Sequence, residues 1–327
     1  MNMSTAMTIR TALTETFGLT YPLVLAPMGA VAGGELAAAV SNAGGLGLVG
    51  GGYGDPQWLK RELDIVATTS RGKWGAGLIT WHASAEALEL ALSYRPQAFF
   101  LSFGDARPFI PAIKRAGCVL IMQVQDVAGA REAKAQGADF IVAQGAEAGG
   151  HGATRATLPL VPAVVDAVHP TPVLAAGGIA DGRGLAAALA LGAAGAVLGT
   201  SFCVANEALV HPNAKQRIVA SDGGQTARTR IFDTARGYFW PSQYTGRALR
   251  NSFLAQWHDR DEALAANAQE LARYRAAVQS GDFDTALIYI GEAMDLILRI
   301  EPAAAIVERV GGDAERWLRS AAGLLSS

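Results

Sequence analysis

The sequence predicts an α/β protein, a (β/α)8 barrel followed by a C-terminal helical subdomain, and three observations carry that expectation. Between Tyr21 and about Phe202, eight short apolar runs alternate with alanine-rich amphipathic segments. Several of the runs are apolar without interruption, as strands of a parallel sheet are when it is covered on both faces. The last two, Pro172-Val173-Leu174-Ala175-Ala176-Gly177-Gly178-Ile179 and Gly195-Ala196-Val197-Leu198-Gly199-Thr200, both empty into glycine. Glycine has no Cβ, so backbone N–H groups there can close directly on an anion. A phosphate site at the seventh and eighth strands suits a closed barrel; an open doubly wound sheet carries its phosphate site at the first.

The first strand is Leu23-Val24-Leu25-Ala26, ended by Pro27, and Glu35 to Asn42 reads as a short helix. Gly45-Leu46-Gly47-Leu48-Val49 is the second strand and spills into Gly50-Gly51-Gly52. Trp74–Thr80, Ala98–Ser102, Cys118–Gln123 and Asp139–Ala143 supply strands three to six. Helical patterns lie between, at Ala85–Leu92, Phe109–Arg115, Val127–Gln136, Leu160–Val168 and Gly184–Leu191. Residues 1–256 are therefore assigned to the barrel and 257–327 to a helical subdomain or lid. In the latter, helices are expected over Glu262–Val278, Thr285–Arg299, Ala303–Val310 and Ala314–Leu325, with a break at Gly281-Asp282.

Composition narrows the function classes. A chain of 327 residues, half of them hydrophobic, can bury a full core. A net charge of -2 gives no electrostatic case for nucleic acid or an anionic membrane. Met1 to Phe17 contains Arg10 and Glu15 and no continuous apolar export core, and Leu185–Val197 is too short to span a bilayer. Cys118 and Cys203 sit in apolar strand-like contexts and read as buried free thiols. The expectation is a soluble, cytoplasmic protein without a metal site, since neither histidines nor cysteines show ligand spacing. Oligomeric state leaves no trace in the sequence.

In such a barrel, chemistry belongs at the C-terminal ends of the strands. Ala26-Pro27-Met28 follows strand one, Trp81-His82 follows strand three, and Gln123 and Gln125 end strand five. Gln144-Gly145-Ala146-Glu147-Ala148-Gly149-Gly150-His151-Gly152 follows strand six. These groups are mostly polar and neutral, which suits a large uncharged ring with a phosphate tail. His151, after two glycines on a loop at this face, is the leading catalytic candidate, able to abstract a proton or anchor an anion. His82 is a second candidate and reads equally as a rim histidine beside Trp81. Glu147 has two readings: it tunes His151 or hydrogen-bonds a ligand hydroxyl, or, the favoured one, it is a loop carboxylate satisfied by backbone amides. The aromatic segment Tyr238-Phe239-Trp240-Pro241-Ser242-Gln243-Tyr244 is either a lid over the substrate, with Trp240 and Tyr244 touching it, or packing between barrel and helices. Arg107, Arg155 and Arg247 are unranked candidates for a substrate carboxylate.

Together these blocks resemble the FMN-dependent nitronate monooxygenases, formerly called 2-nitropropane dioxygenases, over most of the chain. Ala26-Pro27-Met28 is similar to that family's first flavin-contacting turn. The stretch from Ser41 to Gly47 with Gly50-Gly51-Gly52-Tyr53 resembles its second block, and Gln144 to His151 its histidine loop. Ala176-Gly177-Gly178-Ile179-Ala180-Asp181-Gly182-Arg183 with Leu198-Gly199-Thr200 resembles its phosphate site. The resemblance implies FMN as cofactor, with Ala26, Pro27 and Met28 lining its ring and Gln123 and Gln144 touching the ring or ribityl chain. Gly149 and Gly150 would lie against the flavin, Gly178, Gly199 and Thr200 would hold the phosphate, and Gly177 would support the turn. It also implies oxidation of a nitronate, or of a nitroalkane after His151 removes its α-proton, by dioxygen to a carbonyl compound and nitrite. The sequence departs from some relatives at Gly77, where they carry Asn, and at Gln123, where they carry Lys. Flavin-dependent NAD(P)H:quinone or enoyl reductases have similar glycine blocks, and a cofactor-free phosphate-barrel lyase or isomerase is the rival of another class.

Overall fold

The computed structural model describes residues 9–325; Met1–Thr8, half of the segment read above for export, lie outside the described residues. The strands are β1 (Leu23–Leu25), β2 (Gly47–Gly50), β3 (Trp74–Ile79), β4 (Ala98–Ser102), β5 (Val119–Val124), β6 (Phe140–Gln144), a short β7 (Gly150–Gly152), β8 (Val173–Ala176), β9 (Gly195–Leu198), β10 (Thr226–Thr229) and β11 (Thr245–Leu249). Eight of them pair in parallel in the order β1-β9-β8-β6-β5-β4-β3-β2. The two ends of that order meet: the Leu25 amide donates to the Leu46 carbonyl and the Leu46 amide to the Leu23 carbonyl, both at 2.9 Å. The expected (β/α)8 barrel is therefore present, and each of the eight expected strands overlaps an observed one.

The unbroken apolar runs are explained by two apolar faces. Val24, Leu48, Phe100, Ile121, Val142, Leu174 and Val197 point into the barrel. Their neighbours Leu25, Val49, Leu101, Met122, Ile141, Ala175 and Leu198 point out at the helices. Alternation persists, but both faces are buried, so it leaves no polar imprint. The helix Ala12–Phe17 drives Leu13 and Phe17 into the barrel interior, where the Phe17 and Phe140 ring centroids stand 6.1 Å apart.

The C-terminal third differs from expectation in detail. Thr285–Arg299 is not a helix. Its first half is extended beside β11, with the Leu249 amide donating to Ile288 and the Ile290 amide to Arg247, and a 3-10 turn follows at Glu292–Leu296. Ile288 and Ile290 point into one core while Leu287 and Tyr289 pack on another, a period of two that helix reading overlooked. The two expected helices at 303–310 and 314–325 are one, Ala303–Ala322, running through Gly311-Gly312. A Cβ on Gly311 would lie 2.0 Å from the Tyr21 ring, so this glycine permits close approach and does not end the helix. That helix packs on Gly182–Ala190 and Gly34–Asn42, with Ile306, Val307, Val310 and Ala314 in the layer outside the barrel. Between it and β9 the chain builds a cap over the barrel mouth. Its core joins Ala227, Ile231 and Phe232 to Phe253, Trp257, Leu264 and Tyr274.

A candidate active site

The loop after β6 does not hang free. Its end, β7, pairs antiparallel with β11, placing His151 opposite Gly246, and β11 pairs with β10. Sequence reading missed this three-stranded sheet, because its strands are three to five residues long and far apart in the chain. Two arginines on it hold the loop. Arg228 Nη1 donates to the Thr245 and Gly152 carbonyls (2.6 and 3.3 Å) and its Nη2 to the Ala146 carbonyl (3.2 Å). Arg247 Nε donates to the same Ala146 carbonyl at 3.0 Å. Burial pulls Arg228 down to about 10, which leaves it charged near neutrality.

Three glutamines fix the loop from the barrel side. Gln123 and Gln125 each donate through Nε2 to Gln144 Oε1, at 3.2 and 3.0 Å, and Gln144 Nε2 donates to the His151 carbonyl at 3.0 Å. Glu147 accepts from the Thr157 amide at 3.0 Å and from its hydroxyl at 2.9 Å, capping a helix that has no side-chain cap of its own. That is the backbone-satisfied carboxylate the sequence suggested.

His151 itself is buried, with 6% of its surface exposed. Its Nε2 lies 2.8 Å from Asp233 Oδ2, and Asp233 Oδ1 accepts from the Tyr289 hydroxyl at 2.9 Å. With a carboxylate on Nε2, the neutral imidazole carries its proton there and presents an unprotonated Nδ1. Burial, the largest influence, pushes the His151 pKa below its usual value, and Asp233 offsets part of that. Burial also raises the Tyr289 phenol well above its usual value, so it stays a donor to Asp233. Neither Asp233 nor Tyr289 was found from the sequence. They lie 82 residues from His151 and 56 residues from Asp233 respectively, and no local pattern marks them.

Trp240 covers the imidazole, ring centroids 3.4 Å apart and planes 6° apart. Its Nε1 donates to the Tyr53 hydroxyl at 2.9 Å, and Tyr53 stacks on Tyr238 at 4.2 Å. Phe103 and Tyr244 complete an edge-to-face cluster around Trp240. His82 stands at its edge, Nδ1 2.9 Å from the Tyr53 carbonyl, and no contact joins it to His151.

The glycine exits lie beside these groups. Gly177 and Gly178 adopt φ of 101° and 70°. A Cβ on Gly199 would lie 3.3 Å from Met28 Sδ and 3.7 Å from the Ala26 Cβ, so the ends of β1 and β9 form one wall. A Cβ on Gly77 would come 2.6 Å from Pro27, so Gly77 lets Pro27 lie against β3. Gly149 is pressed on Ile290 and Gly291, and Thr200 Oγ1 accepts from the Gly291 amide at 3.0 Å. Gly150, at φ 71°, opens β7 opposite Arg247. A polar hollow lined by Ser41, Arg71, Lys73 and Gln97 lies at the opposite end of the barrel, away from all of these groups.

Comparison with known proteins identifies the family and agrees with the barrel fold. The family model for nitronate monooxygenase matches residues 10–86 and 76–312. The chain belongs to the nitronate monooxygenase family. It is 33% identical to a nitronate monooxygenase of Neurospora crassa, over 91% of this chain and 90% of that protein. Among solved structures, FabK from Thermotoga maritima superposes with a TM-score of 0.85 at 29% identity, covering 97% of this chain and all of that one. A nitroalkane oxidase from Streptomyces ansochromogenes gives 0.81 at 28% identity, over 95% of this chain and 100% of that one. The protein is accordingly an oxidoreductase. Among the described residues, no helix is long and apolar enough to cross a membrane and no cluster of three or more metal-ligating side chains occurs.

Proposed function

We propose that the protein oxidises alkyl nitronates with dioxygen to carbonyl compounds and nitrite, and that His151 extends the substrate range to neutral nitroalkanes by removing their α-proton. The reaction balances as two nitronates and one dioxygen giving two carbonyls and two nitrites. One observation carries the reading. An imidazole at the C-terminal face of the barrel is held by a carboxylate on one nitrogen, kept neutral by burial and left with an unprotonated nitrogen for a C–H acid.

FMN is the cofactor this reading requires, and the residues present fit it. The amides of Gly178 and Gly199 donate to no acceptor among the described residues, and a Cβ at Gly178 would meet nothing closer than 3.4 Å. They would hold the phosphate together with Thr200, with Gly177 supporting the turn. Ala26, Pro27 and Met28 would line the ring, Gln123 and Gln144 would touch the ring or ribityl chain, and Gly149 and Gly150 would lie against it. When bound, FMN supplies the electron acceptance that no side chain here can. The protein's part is to orient His151, to hold the proton it takes at Nδ1, and to keep water off it with Trp240. His82, at the rim, is assigned no role in this reading.

The test is anaerobic flavin reduction in the purified holoenzyme. Wild type is expected to bleach with a nitronate and with the parent nitroalkane, and His151→Asn with the nitronate only. Bleaching by NADH or NADPH with none by nitronate would instead make the protein a reductase of the quinone or enoyl type. A purified protein without a bound yellow chromophore would return the cofactor-free lyase or isomerase.

A further inference from the structure

The polar hollow at the N-terminal end of the barrel has a volume of about 450 Å³, and a second of about 580 Å³ opens beside it. Both are walled by Phe17, Lys73 and Gln97, so the two form one cleft under the barrel floor. Arg71 and Lys73 line the first hollow, Lys73 and Arg95 the second, and no carboxylate lines either. Among the described residues, no hydrogen bond or ion pair engages any of these three side chains. Other surface cations differ: Lys114 is spent on Asp139 and Arg107 on Asp105.

The loops that carry the three cations are held in place. Asn42 Oδ1 accepts from the Arg71 amide at 2.6 Å, and its Nδ2 donates to the Thr69 carbonyl at 3.1 Å. Gly72 is pressed on this helix, where a Cβ would lie 2.5 Å from the Ser41 carbonyl oxygen. Gln97 Oε1 accepts from the Trp74 amide at 3.1 Å, and its Nε2 donates to the Arg95 carbonyl at 3.0 Å. One glutamine thus joins the segment of Lys73 to that of Arg95. Arg95 itself adopts a φ of 56°, uncommon for a residue with a Cβ. The amides of Gly72 and Lys73 donate to no acceptor among the described residues.

We propose that this cleft binds a polyphosphate group, of a free inorganic polyanion or of a nucleotide, at the end of the barrel away from the active site. A single carboxylate answers one cation. Linked phosphates, each with its own charge, answer three, and the amides of Gly72 and Lys73 supply further donors to their oxygens. Arg71 and Arg95 follow the helices Pro56–Thr69 and Ala85–Ser93, whose carbonyl ends favour a nearby cation. That preference accounts for neither Lys73, nor the unpaired amides, nor the absence of carboxylates. Phe17 and Gly18, at the end of the helix that plugs the barrel, wall the first hollow. A bound polyanion therefore ties the plug to the loops that lead into β3 and β4.

The probe is tripolyphosphate, titrated calorimetrically into the holoenzyme at about 0.15 M salt, where exposed charges beyond about 8 Å are screened. One tripolyphosphate per chain is expected, bound at least about tenfold more tightly than orthophosphate, with an unfolding temperature that rises with its concentration. Lys73→Gln and Arg71→Gln should each weaken binding by about tenfold. Arg275→Gln, exposed on the helix Ala268–Ser280, should leave it unchanged. Neither Lys73 nor Arg71 pairs through its side chain, so both variants should unfold at the wild-type temperature when the probe is withheld. ATP identifies the source: affinity no greater than that of tripolyphosphate assigns the cleft to the polyphosphate alone, and tighter binding assigns it to a nucleotide. No binding to wild type at millimolar tripolyphosphate, equal binding of orthophosphate, or an affinity unmoved by Lys73→Gln and Arg71→Gln overturns the proposal.

Discussion

The indole of Trp240 lies flat on the imidazole of His151, 3.4 Å between ring centroids, while Asp233 holds the edge of the same imidazole at 2.8 Å. The two contacts act on different properties of the base. Asp233 fixes which nitrogen carries the proton, and Trp240 contributes to the dryness that keeps the ring neutral.

Asp233→Asn removes the charge that fixes the proton on Nε2. Turnover of a neutral nitroalkane is expected to fall by roughly 10²–10⁴-fold, and turnover of its preformed nitronate far less. Parallel nitrite assays on the two substrates measure the split. Equal losses on both would assign Asp233 to folding or flavin binding. Tyr289→Phe, which leaves Asp233 in place, should show the same bias to a smaller degree.

The pH dependence has a defined sign. His151 is depressed below its usual 6.5, chiefly by burial. The free base therefore persists as pH falls through 6.5, and nitroalkane turnover should decline only at more acid pH. Stability runs the same way. Below pH 6.5 the unfolded chain takes up the proton first, so this group costs stability progressively until the folded value is passed. Profiles of kcat/KM for nitroalkane and nitronate, taken side by side, isolate the limb that belongs to His151. An acid limb above 6.5 would contradict the assignment.

Trp240→Ala uncovers the imidazole and admits water. The acid limb for nitroalkane is expected to move up toward 6.5, since desolvation is the main cause of the depression. A profile that stays put while KM rises would make Trp240 a substrate wall and nothing more.

The two glycines inside the last helix should respond oppositely to alanine. Gly311→Ala drives a Cβ into the Tyr21 ring and is expected to cost about 1–3 kcal/mol, whereas the Cβ of Gly312→Ala meets nothing within 4 Å. The latter should stabilise by up to about 1 kcal/mol through helix propensity. Thermal unfolding of the two variants against wild type decides it.

The barrel was legible because its signals are local. Each strand is a short apolar run, and the glycines at the ends of β8 and β9 announce where a ligand goes. His151 was legible for the same reason, standing beside Gly149 and Gly150. Its partners were not, because Asp233 and Tyr289 reach it only through the pairing of β7 with β11 and the extended run 286–290. That run was mistaken for a helix because apolar residues on both faces hide a period of two. The Gly311-Gly312 pair misled in the other direction, since glycine serves close packing as readily as it serves a break.

The contact between Gly311 and Tyr21 also bears on how the molecule is made. The outermost turns of helix come from the end of the chain and seat against the beginning of the first strand. During synthesis the ring of helices stays open until Ala303–Ala322 has emerged, and its contacts with Tyr21 and Gly34–Asn42 bridge wide sequence separations, the kind that slow folding.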